Sequence, residues 1–551
     1  MTMDTIPYHP GYPEEQARVE AGDTILAALA RAVADVPDKV FVDFEGDKHS
    51  YAAFDEASSR LASAFRALGV GQGDPVSAIL DNNVDCLLTW FALNKIGAIW
   101  VPVNTALRKD FLKAQLVDTG CALLVCEDHY LERIEELAGE LPDLKRVLVR
   151  GAPSTDAIGP IAVERLDDYR DSAPLTDPVA AEAEDISCVL YTSGTTGPSK
   201  GCMISQGYIC NQTVQVITTT PLYPGDVIWS CMPLFHIGAL TGAFLPALIL
   251  KETASLASRF SVTGFWPEVE RSGARVALIL ASMIPLLAAA PDNDAMLRCK
   301  GQIHSLWGLP FTPETRKVWH ERFGVKWINS YGFGQTEGGK VFTVLPGEQM
   351  PPEGTQGKLA AEFDCQIVDD KDNALPPGTI GEVVYRPRRP NVMFSGYWKR
   401  PEATAAAWRN LWMHSGDLGK IDEDGWFYFI GRKKESIRRR GENISTFECE
   451  QVFSKHPQLK ETVVHAVASP LGEDDVKVTA ILRDDATLTE KELCLWCIEH
   501  FPYFAVPRYY EFREDLPRTS TGKAMKYLLT EQGCTPTTWD VEKSDIKIPR
   551  R

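Results

Sequence analysis

Between Tyr191 and Gly201 the chain reads Tyr191-Thr-Ser-Gly-Thr-Thr-Gly-Pro-Ser-Lys-Gly201, and eight of these eleven residues are Gly, Ser or Thr. The string follows an apolar stretch, residues 186–191, that predicts a strand. A loop of this kind can wrap a polyphosphate. Its glycines let backbone N–H groups approach, its hydroxyls donate, and Lys200 adds a positive charge. A flexible surface loop is the bland reading, but the ordered ending Pro-Ser-Lys-Gly is not generic. It is not a Walker A loop, because Gly197 is followed by Pro198 and not by Lys. A second chemical pattern, the CxxC pair Cys494 and Cys497, lies in residues 492–500, which read as an amphipathic helix, with no second pair to complete a metal site. Two core cysteines are expected there.

Further strings follow in order: Met232-Pro-Leu-Phe-His236, Tyr331-Gly-Phe-Gly-Gln-Thr-Glu337, Trp412-Met-His-Ser-Gly-Asp417, Gly431-Arg-Lys-Lys-Glu435 with Gly441-Glu-Asn-Ile444, and Pro517-Arg-Thr-Ser-Thr-Gly-Lys523. With the loop, they make nearly the whole chain resemble the adenylate-forming (ANL) superfamily. That family holds acyl-CoA synthetases, peptide-synthetase adenylation domains and firefly luciferase. The chain looks most like its branch of crotonobetaine/carnitine–CoA ligases and medium- or long-chain acyl-CoA synthetases. The resemblance implies a two-step reaction with ATP, Mg²⁺ and coenzyme A. A carboxylate attacks the α-phosphate to give an acyl-adenylate, and a thiol then displaces AMP. The first step joins two anions, so charge neutralisation is most of the catalytic task.

The resemblance also assigns roles. Thr192, Ser193, Gly194, Thr195, Thr196, Gly197 and Lys200 would hold phosphates. Glu337 would hold the metal, and Thr336 would contact a phosphate. Asp417 and Arg432 would take the ribose. Lys523 would serve adenylation, and His236 would stand at the mouth of the acyl and pantetheine channel. Lys434 matches the hinge on which a small domain turns between two poses, and Gly441 the glycine that lines the pantetheine tunnel. Residues 432–440, with six basic and one acidic residue, are either a solvated charged strand or a phosphate-facing strip.

Departures from the pattern mark what is individual. The adenine-stacking aromatic is Tyr331 or Phe333, depending on register, and either ring offers a π-face. Trp307-Gly-Leu-Pro-Phe311 stands where relatives have Gly-Gly-Ala-Pro-Leu, so a bulky Trp307 precedes Gly308 in a wall that would touch nucleotide and acyl group. Gln206 replaces a frequent His, Arg440 a Gly, and Ala505 a Lys. Expected is an acid–CoA ligase. The alternatives are an enzyme performing mainly thioester formation from an adenylate, or one loading a carrier protein in trans. Residues 237–248, 276–287, 307–311 and 332–334 should form the acyl wall. They are overwhelmingly apolar, with no evident Asp or Lys for an amino acid's α-amino group, so a hydrophobic carboxylic acid or its adenylate is the expected substrate.

The elements that must position these residues read as α/β. Strand candidates at residues 40–44, 76–80, 99–103, 123–126 and 147–149 alternate with helices at 51–68, 84–96 and 106–119, which predicts parallel sheets. Residues 151–184, rich in Pro, Ala and Asp, read as a crossing loop, and residues 363–386 as a β-rich subdomain. The tail mixes strands (462–467, 477–482) with helices (447–455, 489–500). The expected architecture is a large N-terminal body of stacked α/β subdomains plus a β-rich subdomain, residues 1–433, and a small mobile α+β domain, residues 434–551. Residues 276–290 are too short and too interrupted to span a bilayer; a buried helix or strand pair is expected. No signal-peptide pattern opens the chain, so a cytoplasmic location is expected. Net charge is −18, from 57 basic and 75 acidic residues, which disfavours nucleic acid and anionic membrane as partners. Residues 434–551 hold 18 basic and 20 acidic residues, so most of the excess acid lies in the first 433. Homodimerisation is left open.

Overall fold

The computed structural model describes residues 12–192, 199–279, 283–308, 311–346, 351–433, 436–469, 472–517 and 524–549. Among them, two sheets form the body. In one, Pro75–Ile79 lies between Ile99–Pro102 and Leu123–Glu127, all parallel. That sheet extends outward through Arg146–Arg150 on one side and Ile186–Thr192 on the other. Lys200–Ser205 folds back antiparallel on Ile186–Thr192 at its edge. In the other, Trp327–Asn329, Ser305–Trp307, Val276–Leu278, Val227–Ser230, Thr253–Leu256 and Val40–Phe44 run parallel in that order, and Asp47–Ser50 closes the edge as a hairpin. Strands covered on both faces read as unbroken apolar runs, and Leu123–Glu127 is buried at every position.

Two helices carry the body's logic. Val84–Lys95 starts at Asn83, whose side chain accepts from the Cys86 N–H at 3.1 Å. It is buried on all faces, and Trp90 stacks on Trp100 of the first sheet at 5.2 Å. Gln206–Thr219 is capped by Ser205 and begins where the edge strand ends. It carries the chain from the end of that strand farther from the Gly/Ser/Thr loop to Thr219, deep in the body.

A four-stranded antiparallel sheet (Phe363–Val368, Gly381–Pro387, Met413–Ile421, Phe427–Arg432) forms the β-rich part. Beyond it, a hairpin (Ser436–Arg439, Glu442–Ser445) leads into a sheet of Leu459–Ala468, Asp474–Leu482, Tyr509–Phe512 and Trp539–Asp540. This C-terminal sheet packs with helices Thr446–Phe453 and Glu490–His500 around a core of its own.

The structure corrects three expectations. Residues 151–184 are not simply a crossing loop: Ile161 and Val163 alternate inward, so Ile161–Arg165 joins the first sheet beside Arg146–Arg150. The apolar run 276–290 is neither one helix nor a strand pair, but the strand Val276–Leu278 and the helix Met283–Ala289. The helix expected from residue 106 begins at Lys109, because Arg108 is extended. Cys494 and Cys497 are fully buried beside Leu493 and Phe501, as expected of core thiols. Among the described residues no cluster of three metal-ligating side chains occurs, and no helix is long and apolar enough to cross a membrane.

Candidate active site

A cleft of about 2870 Å³ opens between the body and the C-terminal sheet, lined from both. The C-terminal side is seated on the body by specific contacts. Glu448 accepts from the Ser199 N–H at 2.6 Å and its hydroxyl at 2.8 Å. His236 Nε2 lies 3.1 Å from Glu442 Oε1. Lys455 pairs with Asp110 at 2.6 Å, and Phe111 meets Phe501 at 5.8 Å.

Antiparallel pairing sets Thr192 opposite Lys200, so the Gly/Ser/Thr string is the connection of a β-hairpin. Ser193, Gly194, Thr195, Thr196 and Gly197 lie outside the described residues, but the two ends of the loop line the cleft. Lys200 places its ammonium 4.8 Å from the centre of the Tyr397 ring. Tyr397 donates to Glu337 Oε1 at 2.9 Å, and the Phe394 N–H holds the Glu337 carbonyl. Burial and the Glu337 carboxylate hold the Tyr397 phenol well above its ordinary range, so it stays a donor. Thr336 is fixed through its carbonyl by Tyr208 at 2.8 Å. Thr192, Lys200, Thr336 and Glu337 thus converge.

The next station is a relay. Tyr385 donates to Gln335 Oε1 at 3.1 Å, and Gln335 Nε2 donates to Asp417 Oδ2 at 2.7 Å and to the Ser415 carbonyl at 2.9 Å. Asp417 is almost wholly buried under Gln335, while Ser415 and Gly416 line the cleft. The backbone of Arg432 pairs with that of Asp417, so the two share a ladder position. Phe333 packs among Phe342, Phe427 and Phe429 on the strand that also carries Gln335, while the Tyr331 ring takes Arg316 at 5.3 Å. Both rings line the cleft. Gly308 must be glycine, because a Cβ there would sit 2.8 Å from the Ile279 carbonyl.

At the C-terminal side, Gly441 takes φ 82° and Arg440 φ 55° in a two-residue turn, and Gly441 lines the cleft. Arg438, Arg440, Arg108, Lys109, Arg133 and Arg259 also line it. Arg439 is instead buried, donating to the Val506 carbonyl at 2.6 Å, so among its described residues the basic strip both lines the cleft and builds the fold. Lys434 and Lys523 lie outside the described residues. The flanks of Lys523, Leu516 and Ala524, pack with Val463 and Ile481.

The departures sort themselves. Gln206 is no wall of the cleft: it is buried, donating to Asn94 Oδ1 at 2.8 Å and accepting from the Ile25 N–H at 3.3 Å. Trp307 turns toward Gly242, where an added Cβ would meet its ring at 2.5 Å. Ala505 is buried at the cleft's edge.

One residue escaped the sequence reading. Lys340 is buried yet lines the cleft, its ammonium 2.9 Å from Thr219 Oγ1 and 4.7 Å from the centre of the Trp307 ring. Burial alone pulls it down to about 7. The cleft wall beside Trp307 therefore carries an amine among its apolar residues. A lysine leading the apolar pair Val341-Phe342 was the available signal.

The family profile of AMP-binding enzymes matches residues 29–398, and that of the AMP-binding enzyme C-terminal domain matches residues 448–523. The chain is 32% identical over 508 residues to crotonobetaine/carnitine–CoA ligase of Salmonella paratyphi A, covering 90% of this chain and 96% of that one. Among solved structures it resembles a double mutant of o-succinylbenzoate CoA synthetase from Bacillus subtilis bound to a product analogue. That match has a TM-score of 0.79 and 21% identity, covering 94% and 99% of the two chains. It also resembles an amide bond synthetase from Marinactinospora thermotolerans, with a TM-score of 0.78, 24% identity and coverage of 92% and 99%. These two share the fold.

Proposed function

Since the chain belongs to the AMP-binding enzyme family, we propose a division of labour in its cleft for an acid–CoA ligase that works through an acyl-adenylate. The enzyme is an ATP-dependent, AMP-forming acyl-CoA synthetase of the ANL fold. Its two parts are residues 1–433 and 434–551, with Lys434 as the hinge. The loop from Thr192 to Lys200 cradles phosphates. Phe333 stacks on adenine, because its strand also carries the Gln335 link to Asp417, which puts base and ribose stations side by side. Tyr331 then belongs to the acyl wall. Arg432 is the second ribose contact.

Glu337 suits Mg²⁺: one carboxylate, already oriented by Tyr397, faces a polar cleft beside the phosphate loop, and Mg²⁺ takes few protein ligands. When bound, the ion would neutralise phosphate charge. Thr336 donates to a phosphate oxygen, and Lys523 brings its ammonium to the attacking carboxylate and α-phosphate. For thioester formation Gly441 leaves room for pantetheine, His236 stands at the mouth, and the arginine rim holds CoA phosphates. The protein acts in the cytoplasm on a small carboxylic acid.

The convergence of the loop ends, Glu337 and Gly441 on one cleft, with Asp417 buried directly behind Gln335, carries this reading. The test is AMP release from ATP and a panel of acids, with and without CoA. Lys523→Ala should lose adenylation by about 100-fold or more while still forming thioester from supplied acyl-adenylate. Gly441→Leu should do the reverse. Equal loss of both half-reactions in either variant would contradict the roles assigned.

A further inference from the structure

Resting on the ligase reading, we propose that the acid carries a second oxygen acceptor, remote from the reacting carboxylate, and that Lys340 holds it. An ammonium has three donors. Lys340 places one on Thr219, turns toward the Trp307 face, and has no described carboxylate near enough to act on its charge. Its backbone is clamped on both sides by Gln215, which accepts from the Lys340 N–H and donates to its carbonyl, each at 3.2 Å. The charge is thus fixed in place at the cleft surface, with donors to spare.

The helix Gln206–Thr219 ends at Thr219, and its terminal carbonyls favour a cation. That accounts for the charge being tolerated. It does not account for a lysine in a wall otherwise built from Val216, Leu278, Ile279 and Trp307, where a methionine would fill the space without desolvating an ion. A polar group in an apolar pocket fixes orientation and specificity. Lys340 is held by Thr219, Gln215 and Trp307, and Glu337 by Tyr397 and the Phe394 N–H, so different groups orient the two side chains. A quaternary ammonium at this position would be repelled, which separates this chain from the substrates named for its Salmonella relative.

The experiment compares three acids of one chain length, ending in a methyl group, a methyl ketone or a carboxylate. CoA-dependent AMP release is followed for the wild type, Lys340→Met and Lys340→Gln. The wild type should favour the ketone or the carboxylate over the methyl acid by about tenfold or more in kcat/KM. A carboxylate preferred to the ketone identifies an anionic group, and the reverse a neutral one. Lys340→Met should erase that preference while keeping activity on the methyl acid. Lys340→Gln should keep any ketone preference and lose any carboxylate preference, and it serves if the methionine variant does not fold. A wild-type preference for the methyl acid, or an equal loss on all three acids in a folded variant, would overturn the proposal. Calorimetric binding of the three acids to the enzyme reads the same preference without turnover. Binding that follows the acceptor while no AMP forms would sink the ligase reading and leave the Lys340 assignment standing.

Discussion

Lys340 makes the protein's stability sensitive to pH in a range where few side chains titrate. In the unfolded chain a lysine titrates near 10.4, and in the fold burial lowers this one to about 7. Below 7 both states carry the charge, and its burial opposes folding in full. Between 7 and about 10 the unfolded chain binds the extra proton, so stability rises with pH. Urea unfolding at pH 7, 8 and 9 should show a gain on the order of 2 kcal/mol that Lys340→Met lacks. A slope unchanged in the variant would remove Lys340 as its source. The signal in the sequence was weak: a lysine after Gly338-Gly339 reads as solvated despite the apolar pair that follows, and Thr219 lies 121 positions away. Trp307 did stand out as a departure from the pattern. Its partner Gly242 did not, because a glycine within an apolar run carries no direction.

The hairpin at Gly441 shows how an element sets what a residue can do. Both central residues of its turn have positive φ, the geometry that lets a two-residue loop follow strand twist. Gly441 adopts it freely; Arg440 does so at a cost of about 1 kcal/mol. That cost, in a residue lining the cleft, fits a role for its charge. Arg440→Gly should raise the melting temperature slightly, the gain trimmed by a freer unfolded chain, and raise KM for CoA several-fold. An unchanged KM would separate Arg440 from the CoA phosphates. Elements of this kind were legible wherever burial leaves a pattern: the strand at Val40–Phe44 and the start of the helix at Val84 are where the apolar patterning put them. Ile161–Arg165 was missed because a half-buried strand among prolines and aspartates has too few apolar positions to outvote its neighbours.

Over the whole molecule, the acid excess and the ligands' phosphates are reconciled by placement. Arginines from the body (Arg108, Arg133, Arg259) and from the hairpin (Arg438, Arg440) meet at one cleft, so a net charge of −18 coexists with a local cationic rim. Motif order made this convergence readable; which way each side chain turns was not, and Gln206, singled out as a departure from the pattern, proved to be core. The seating of the C-terminal part has its own consequence. Glu448 holds its carboxylate on Ser199, at the edge of the loop assigned to ATP's phosphates. A carboxylate and a triphosphate exclude each other there, so the seated arrangement and ATP are competing ligands for one loop. Apparent ATP affinity is then divided by one plus the seating equilibrium constant; seating favoured tenfold would weaken ATP about elevenfold. Glu448→Gln, which keeps the shape and removes the charge, should tighten ATP binding measured by calorimetry, and unchanged affinity would show that the two do not compete. Seen this way, the enzyme's affinity for its fuel is set partly by how firmly its own C-terminal part sits down.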